Sequence, residues 1–460
     1  MKRPLLYIVF AILVSTGSVP STQADWKADI GWNQLFAEKG ASLENGAGIV
    51  VSMAEAPVGG NYMPNVGGGQ YTGKTIVNGS GGSSGVSGHA NGVAQIFFGN
   101  TLSIAPGVTH ITVYNANDWI NNQLNTASGG DPVPLPFKVQ NHSWISLGTS
   151  GIDNVSRRID FVINQHQTTM VGGVNNGTGS NFPTLLASAY NAINVGRSDG
   201  DHSTGTTTVY GPGRNRPDIV APGTTTSQAT PMVSSTAALL HQKALGTDAG
   251  RADVMRAVIL SGATKHQFPG WSRTQLQPMD TVYGAGQVNV YNSYKILEGG
   301  PFTGSTSSGS SPVGWRGWDY RASIVSGQDV YYEFVVPHNG IVTDFSVTLT
   351  WNMIITDTHP DPNIFAPIEF LGNLDMRFYD STGAWLGNQL DASLATVGNI
   401  EHLYFSSLGP GHYTLRVSSD VSRDFALAWH GTLTIPEPAV GLLISALLSL
   451  FALKRGRRTR

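Results

Sequence analysis

The chain has 460 residues, of which 40% are hydrophobic and 12% charged, with a formal net charge of −3, 56 glycines and no cysteine. That is enough apolar material for one large or two ordinary domains, and the many Gly, Ser, Thr and Asn residues point to an exported, loop-rich protein. The charge balance excludes a basic nucleic-acid surface. The missing cysteines exclude disulfides, thiol catalysis and cysteine-based metal sites.

Lys2 and Arg3 precede an apolar run, Leu5 to Val14, and Thr22-Gln23-Ala24 offers a small-residue cleavage site. Residues 1–24 therefore read as a secretory signal. The run is short for a bilayer span, so a retained anchor is the lesser alternative. Asp25 to Asn45 is a short amphipathic lead with Trp32, Leu35 and Phe36 on one helical face. Gly46 to Ala56, GAGIVVSMAEA, is a near-continuous apolar run ending at an acid, Glu55. Such runs fit strands buried on both faces of a parallel sheet, and catalytic groups gather at the carboxyl ends of such strands. A carboxylate at a strand end is also an ordinary solvated group.

Val58 to Gly88 is rich in Gly, Asn and Ser and reads as a long irregular surface segment. His89 follows, just before a small-residue run that lets a helix approach the sheet closely. Val139 to Gly148, VQNHSWISLG, reads as a strand, with Trp144 a candidate core residue. Asn175-Asn176-Gly177 is a turn signal. Pro217 to Val220 is a short buried run before the turn residues Pro222-Gly223. Beyond Ser227 the period changes, and Val233, Ala237 and Leu240 share one helical face. Ser227 thus sits where a loop enters a helix, beside free N–H groups that favour an anion. A plain Ser or Thr helix cap has the same pattern. Asp248 to Thr264 is again helical, with Val254, Val258 and Ile259 on one face.

Taken in order, these stretches resemble the subtilisin-like serine proteases. Pro217-Asp218, Ala221-Pro222-Gly223 and Thr226-Ser227-x-Ala229-x-Pro231 match the nucleophile segment of that family. Glu55 stands where the family has its catalytic Asp. His89, with Val93-Ala94, matches the histidine motif. Ala105-Pro106, Asn141-x-Ser143, Asn175 and Tyr283-Gly284-Ala285-Gly286 match four further segments. The order acid, histidine, serine is that of the family. The chain departs from it at Ala90, Gly92, Gln95, Val174, Thr225 and Met232, and its loop from Gly223 to Ser227 is short.

The resemblance implies an α/β fold, with a parallel central sheet flanked by helices over residues 25–298. It implies Ser227 as nucleophile, His89 as general base, Glu55 as the carboxylate that orients it, and Asn175 as side-chain oxyanion donor, with Asn176 its rival. An edge strand carrying Ser143, Trp144 and Ile145, with Gly172 and Gly173, would bind an extended peptide or protein substrate. No cofactor is implied. Structural calcium is common in the family, but no aspartate cluster marks a site. The alternative is a catalytically silent, subtilase-like surface protein that binds peptides. An acid peptidase using Glu and Asp has a similar serine motif but would need an Asp one helical turn from the Glu.

Residues 299–312 form a Gly/Ser/Thr-rich linker. Then the period becomes two: Phe345, Val347, Leu349 and Trp351 alternate with Ser346, Thr348 and Thr350. Residues 313–434 therefore read as an antiparallel β-sandwich, similar to those that follow subtilase catalytic domains. In residues 435–460, Pro436-Glu437-Pro438 precedes the apolar Ala439 to Leu453 and a basic end. This arrangement resembles the PEP-CTERM sorting signal of Gram-negative bacteria. It implies transient membrane insertion, recognition by an exosortase, and delivery to the cell surface or matrix. A simple C-terminal anchor with its basic end in the cytoplasm has the same pattern.

Overall fold

A computed structural model describes residues 25–206, 208–382 and 385–436. The signal segment, and the sorting tail from residue 437 onward, lie outside these. Seven strands build the central sheet: β1 (Val50–Glu55), β2 (Thr75–Asn78), β3 (His110–Asn115), β4 (Val139–His142), β5 (Thr169–Gly173), β6 (Ile193–Arg197) and β7 (Ile219–Ala221). Their order is β2-β3-β1-β4-β5-β6-β7, and every pairing is parallel. The strand order reverses at β1, which lies between β3 and β4. In open parallel sheets the crevice at such a point, outside the carboxyl ends of the strands, is where ligands bind. Glu55 is the last residue of β1 and sits there.

The helices are α1 (Trp26–Asp29), α2 (Trp32–Lys39), α3 (Gly88–Phe98), α4 (Ala116–Asp118), α5 (Ile152–His166), α6 (Thr226–Lys243), α7 (Ala252–Gly262) and α8 (Val290–Gly299). Helix α6 is buried on nearly all sides because its small residues, among them Ala229, Ser234, Ala237 and Ala238, let it lie against the sheet. The amphipathic lead packs with Leu35 buried, while Phe36 stays 47% exposed and stacks on Trp32. The stretch read as irregular between Val58 and Gly88 contains β2. As an edge strand it needs only one partner, and its alternating exposed pattern lacks the apolar run that marks β1.

Beyond α8, the described residues form ten strands: β8 (Arg316–Ile324), β9 (Asp329–Val336), β10 (Ile341–Thr350), β11 (Ile354–Asp357), β12 (Pro367–Phe370), β13 (Leu374–Thr382), β14 (Trp385–Ser393), β15 (Ile400–Leu408), β16 (Gly411–Ser419) and β17 (Arg423–Thr434). Two four-stranded antiparallel sheets, β15-β10-β17-β8 and β14-β13-β16-β9, close on a core that includes Phe334, Phe345, Val347, Phe378, Leu415 and Trp429. β11 and β12 form a separate hairpin. The expected alternation is present, and its polar side is buried too. Ser346, Thr348 and Thr350 are buried because β10 lies on α7. Thr350 donates to the carbonyl of Asp253 at 2.8 Å, and Ser261 donates to the carbonyl of Ser346 at 3.0 Å. The Gly/Ser/Thr-rich connection is also held: the N–H of Phe302 donates to Trp318, and that of Val313 to Glu333.

Candidate active site

Three segments supply the candidate triad: His89 and Ser227 line one cleft of about 810 Å³, open to solvent, and Glu55 lies behind His89. Glu55 stands at the end of β1 with its side chain wholly buried and does not itself line the cleft. His89 is the second residue of α3, whose N-terminus is capped by Ser87. Its ring Nδ1 lies 2.7 Å from Oε2 of Glu55, and its side chain is 36% exposed. The other carboxylate oxygen, Oε1, is buried without a partner. Burial pushes the Glu55 carboxyl up from its ordinary range, against the opposing hydrogen bond and charge of His89. For His89, burial acts downward, but the hydrogen bond and charge of Glu55 outweigh it, and the net shift is upward.

Ser227 is the second residue of α6. Thr225, where the family has Gly, is the N-cap. Its backbone is extended at φ −142°, which any residue adopts, and its hydroxyl accepts from the N–H of Gln228. Met232, where the family has His, is fully buried in the main core.

Pro231 lies inside α6 and has no N–H, so the carbonyl of Ser227 loses its helical partner. The hydroxyl of Ser143 takes that place at 3.2 Å, and the hydroxyl of Ser227 donates in return to the carbonyl of Ser143 at 3.3 Å. Among the described residues no hydrogen bond joins Ser227 to His89. Ser227 must turn away from Ser143 to reach the imidazole; such bonds are often loose before substrate binds.

The substrate segment differs from the edge strand expected. β4 is central, between β1 and β5, and ends at His142. Ser143, Trp144 and Ile145 run on beyond it as extended chain without a ladder, and all three line the cleft. The Trp144 ring is buried in the core against His142. Asn141 does not reach the cleft; it is buried, bonding Ser143 and Ser234, and so ties β4 to α6. Gly173 lines the cleft, and a Cβ there would come within 2.9 Å of the Thr230 hydroxyl. Gly172 does not line it. It lies deeper in β5, where a Cβ would meet Leu186 at 3.0 Å.

The two asparagines are held differently. Asn175 donates its amide to the carbonyl of Asn181 at 3.1 Å, and its Oδ1 accepts from the N–H of Asn176. Asn176 accepts at Oδ1 from the N–H of Thr226 at 2.7 Å and from its hydroxyl at 3.1 Å. The amide nitrogen of Asn176 and the N–H of Ser227 have no partner among the described residues. Asn176 is thus anchored to the start of the helix that carries Ser227, an arrangement no sequence spacing reveals. Among the described residues no group of three His, Asp or Glu side chains could hold a metal ion, and no helix is long and apolar enough to cross a membrane.

Residues 75–275 match the family model described as Peptidase_S8, the subtilase family. No curated protein matches the chain. Solved structures similar to it include fervidolysin from Fervidobacterium pennivorans, a keratinolytic enzyme related to subtilisin. It is 15% identical, covers 87% of this chain and 64% of its own, and has a TM-score of 0.42. The CspB protease of Clostridium perfringens is 13% identical over 59% of this chain and 97% of its own, with a TM-score of 0.43. A protease from Pseudoalteromonas arctica is 15% identical over 55% of this chain and 90% of its own, with a TM-score of 0.38. The matched region holds His89, both asparagines and Ser227, and Glu55 comes from the strand just before it, so the candidate site coincides with the stretch that is similar to the subtilase family, peptidase S8.

Proposed function

We propose that the protein is an exported serine endopeptidase. The observation that carries this reading is the 2.7 Å bond between buried Glu55 and His89 on the rim of the cleft that holds Ser227. A carboxylate at Nδ1 fixes the imidazole tautomer with Nε2 free to accept a proton. Ser227 attacks a peptide carbonyl, its proton passes to His89, and the oxygen becomes an oxyanion beside the N–H of Ser227 and the Asn176 amide. His89 then protonates the leaving amine, and water completes the hydrolysis by the same route. Glu55 stabilises the imidazolium formed in each step. The peptide lies along Ser143 to Ile145. The export signal and the PEP-CTERM tail with its exosortase belong to the same proposal.

The test is labelling of the purified protein with a fluorophosphonate probe, followed by peptide mapping. Label on Ser227 that is absent in His89→Ala supports the reading. A folded wild-type protein that takes no label overturns it. The same result would favour the second reading, a silent peptide-binding protein, for which the Ser227–Ser143 bond and the missing bond to His89 speak.

The pH profile has a defined direction. His89 must be neutral to accept a proton, and its pKa is raised above 6.5. Activity should therefore rise with pH, with the acid limb of kcat/KM above 6.5. The pairing stabilises the fold fully below that value and is lost as pH rises through the folded pKa. A limb at or below the free imidazole value would contradict the pairing.

A further inference from the structure

Two serines at the cleft are tied to each other's backbone. The Ser143 hydroxyl donates to the Ser227 carbonyl at 3.2 Å, and the Ser227 hydroxyl donates to the Ser143 carbonyl at 3.3 Å. Both residues line the open cleft, and both bonds are only partly buried. The two bonds act differently. The Ser143 hydroxyl is held from behind: it accepts from the Asn141 amide at 3.1 Å, and Asn141 accepts from the Ser234 hydroxyl at 2.8 Å. This chain of bonds runs from the middle of α6 back to its start. It fixes the Ser227 backbone, whose carbonyl lacks a helical partner because Pro231 has no N–H. The Ser227 hydroxyl, by contrast, is held among the described residues by the Ser143 carbonyl alone. Rotation about its Cα–Cβ bond to another staggered position frees it, and no backbone has to move.

The Ser143 carbonyl also belongs to the segment that offers itself to a peptide. β4 ends at His142, and the backbone groups of Trp144 and Ile145 take no partner among the described residues. An extended peptide that adds to such a segment brings its own N–H groups to the segment's carbonyls. At Ser143 a peptide N–H and the Ser227 hydroxyl compete for one acceptor. The peptide N–H arrives with the rest of its strand already paired, whereas the hydroxyl has only this bond to lose.

We propose that the Ser143 carbonyl is a latch on Ser227, and that a substrate N–H opens it by taking that carbonyl, which frees the hydroxyl to turn to His89. The proposal rests on the peptidase reading and adds its regulation: the nucleophile is armed by the peptide it is about to cleave. Only hydrogen bonds change in this step, and the proton stays on the serine oxygen until His89 accepts it. An electrophile with no such N–H meets a serine that is mostly turned away. One neutral hydrogen bond shifts such an equilibrium by a factor of roughly 2 to 13.

The test is the rate at which an alkyl fluorophosphonate, which carries no N–H, labels Ser227 in the wild-type full chain with and without a truncated peptide. Acetyl-Ala-Ala methylamide carries the N–H in question and ends at the methyl group beyond it, so it leaves Ser227 open. Acetyl-Ala-Ala dimethylamide lacks that N–H. The methylamide should speed labelling roughly 2- to 13-fold, with saturation, and the dimethylamide should not. A ligand that merely occupies the cleft slows labelling instead. The proposal is overturned if the methylamide slows labelling or leaves it unchanged up to about 10 mM. It is equally overturned if the dimethylamide speeds labelling as much. In both cases label on Ser227 that depends on His89 leaves the peptidase reading standing. Folded protein that takes no label under any of these conditions overturns both.

Discussion

Glu55→Gln should lower kcat on a peptide substrate by about 10⁴-fold, the scale seen when a triad carboxylate becomes an amide. Glu55 is wholly buried, and among the described residues its side chain's only partner is His89. An amide in its place can donate to Nδ1 and hold the imidazole in the tautomer that cannot take the proton of Ser227. It also removes the charge that stabilises the imidazolium. The same substitution removes the upward influence on His89, so any residual activity should show its acid limb at lower pH than wild type. Glu55→Asp keeps the charge but ends one methylene short of His89 on an unchanged strand. It should lose rate while keeping more of the alkaline displacement of the limb. Steady-state kinetics over pH for the three proteins would decide. Wild-type kcat in Glu55→Gln would remove Glu55 from the mechanism.

The second large effect is at the oxyanion. Asn176→Ala should cost about 100- to 1000-fold in kcat with KM little changed, because a positioned amide donor binds the charge that develops in the transition state. Asn175→Ala should cost much less in kcat, since its amide is engaged with Asn181. The contrast rests on Thr226, whose N–H and hydroxyl hold the Asn176 carbonyl oxygen. Parallel kinetics on the two alanine variants make the comparison. A large loss in Asn175→Ala and a small one in Asn176→Ala would return the role to the residue that aligns with the family motif.

That pair marks where sequence reading stops. The apolar run into Glu55, the small residues after His89 and the change of period after Ser227 each have a local physical cause, so the central strand and both helices are legible. Which asparagine bonds Thr226 at the start of α6 depends on how a turn after β5 meets a loop about fifty residues later in the chain, and Asn175-Asn176 offers the same chemistry twice. The Ser143–Ser227 exchange is hidden for a related reason. Pro231 announces a missing N–H, but nothing in the sequence names the hydroxyl that fills the gap. β2 was illegible because an edge strand of alternating exposure is not driven by burial. The sandwich is legible from its period of two, but alternation reports only that one side is apolar and does not say that α7 covers the other.

Helix α7 carries a consequence for how the molecule comes apart. All eleven of its residues are buried, with the central sheet region on one side and β10 and β17 on the other. Besides its apolar residues it buries Asp253 and Arg256, so every side of it is covered by protein. Neither half can therefore melt while the other keeps its shape, and heating should give a single calorimetric transition. In folding, the parallel sheet would have to wait for β10 and β17 before its own outer helix is covered, so that competence for catalysis arrives only after the sandwich strands have been made.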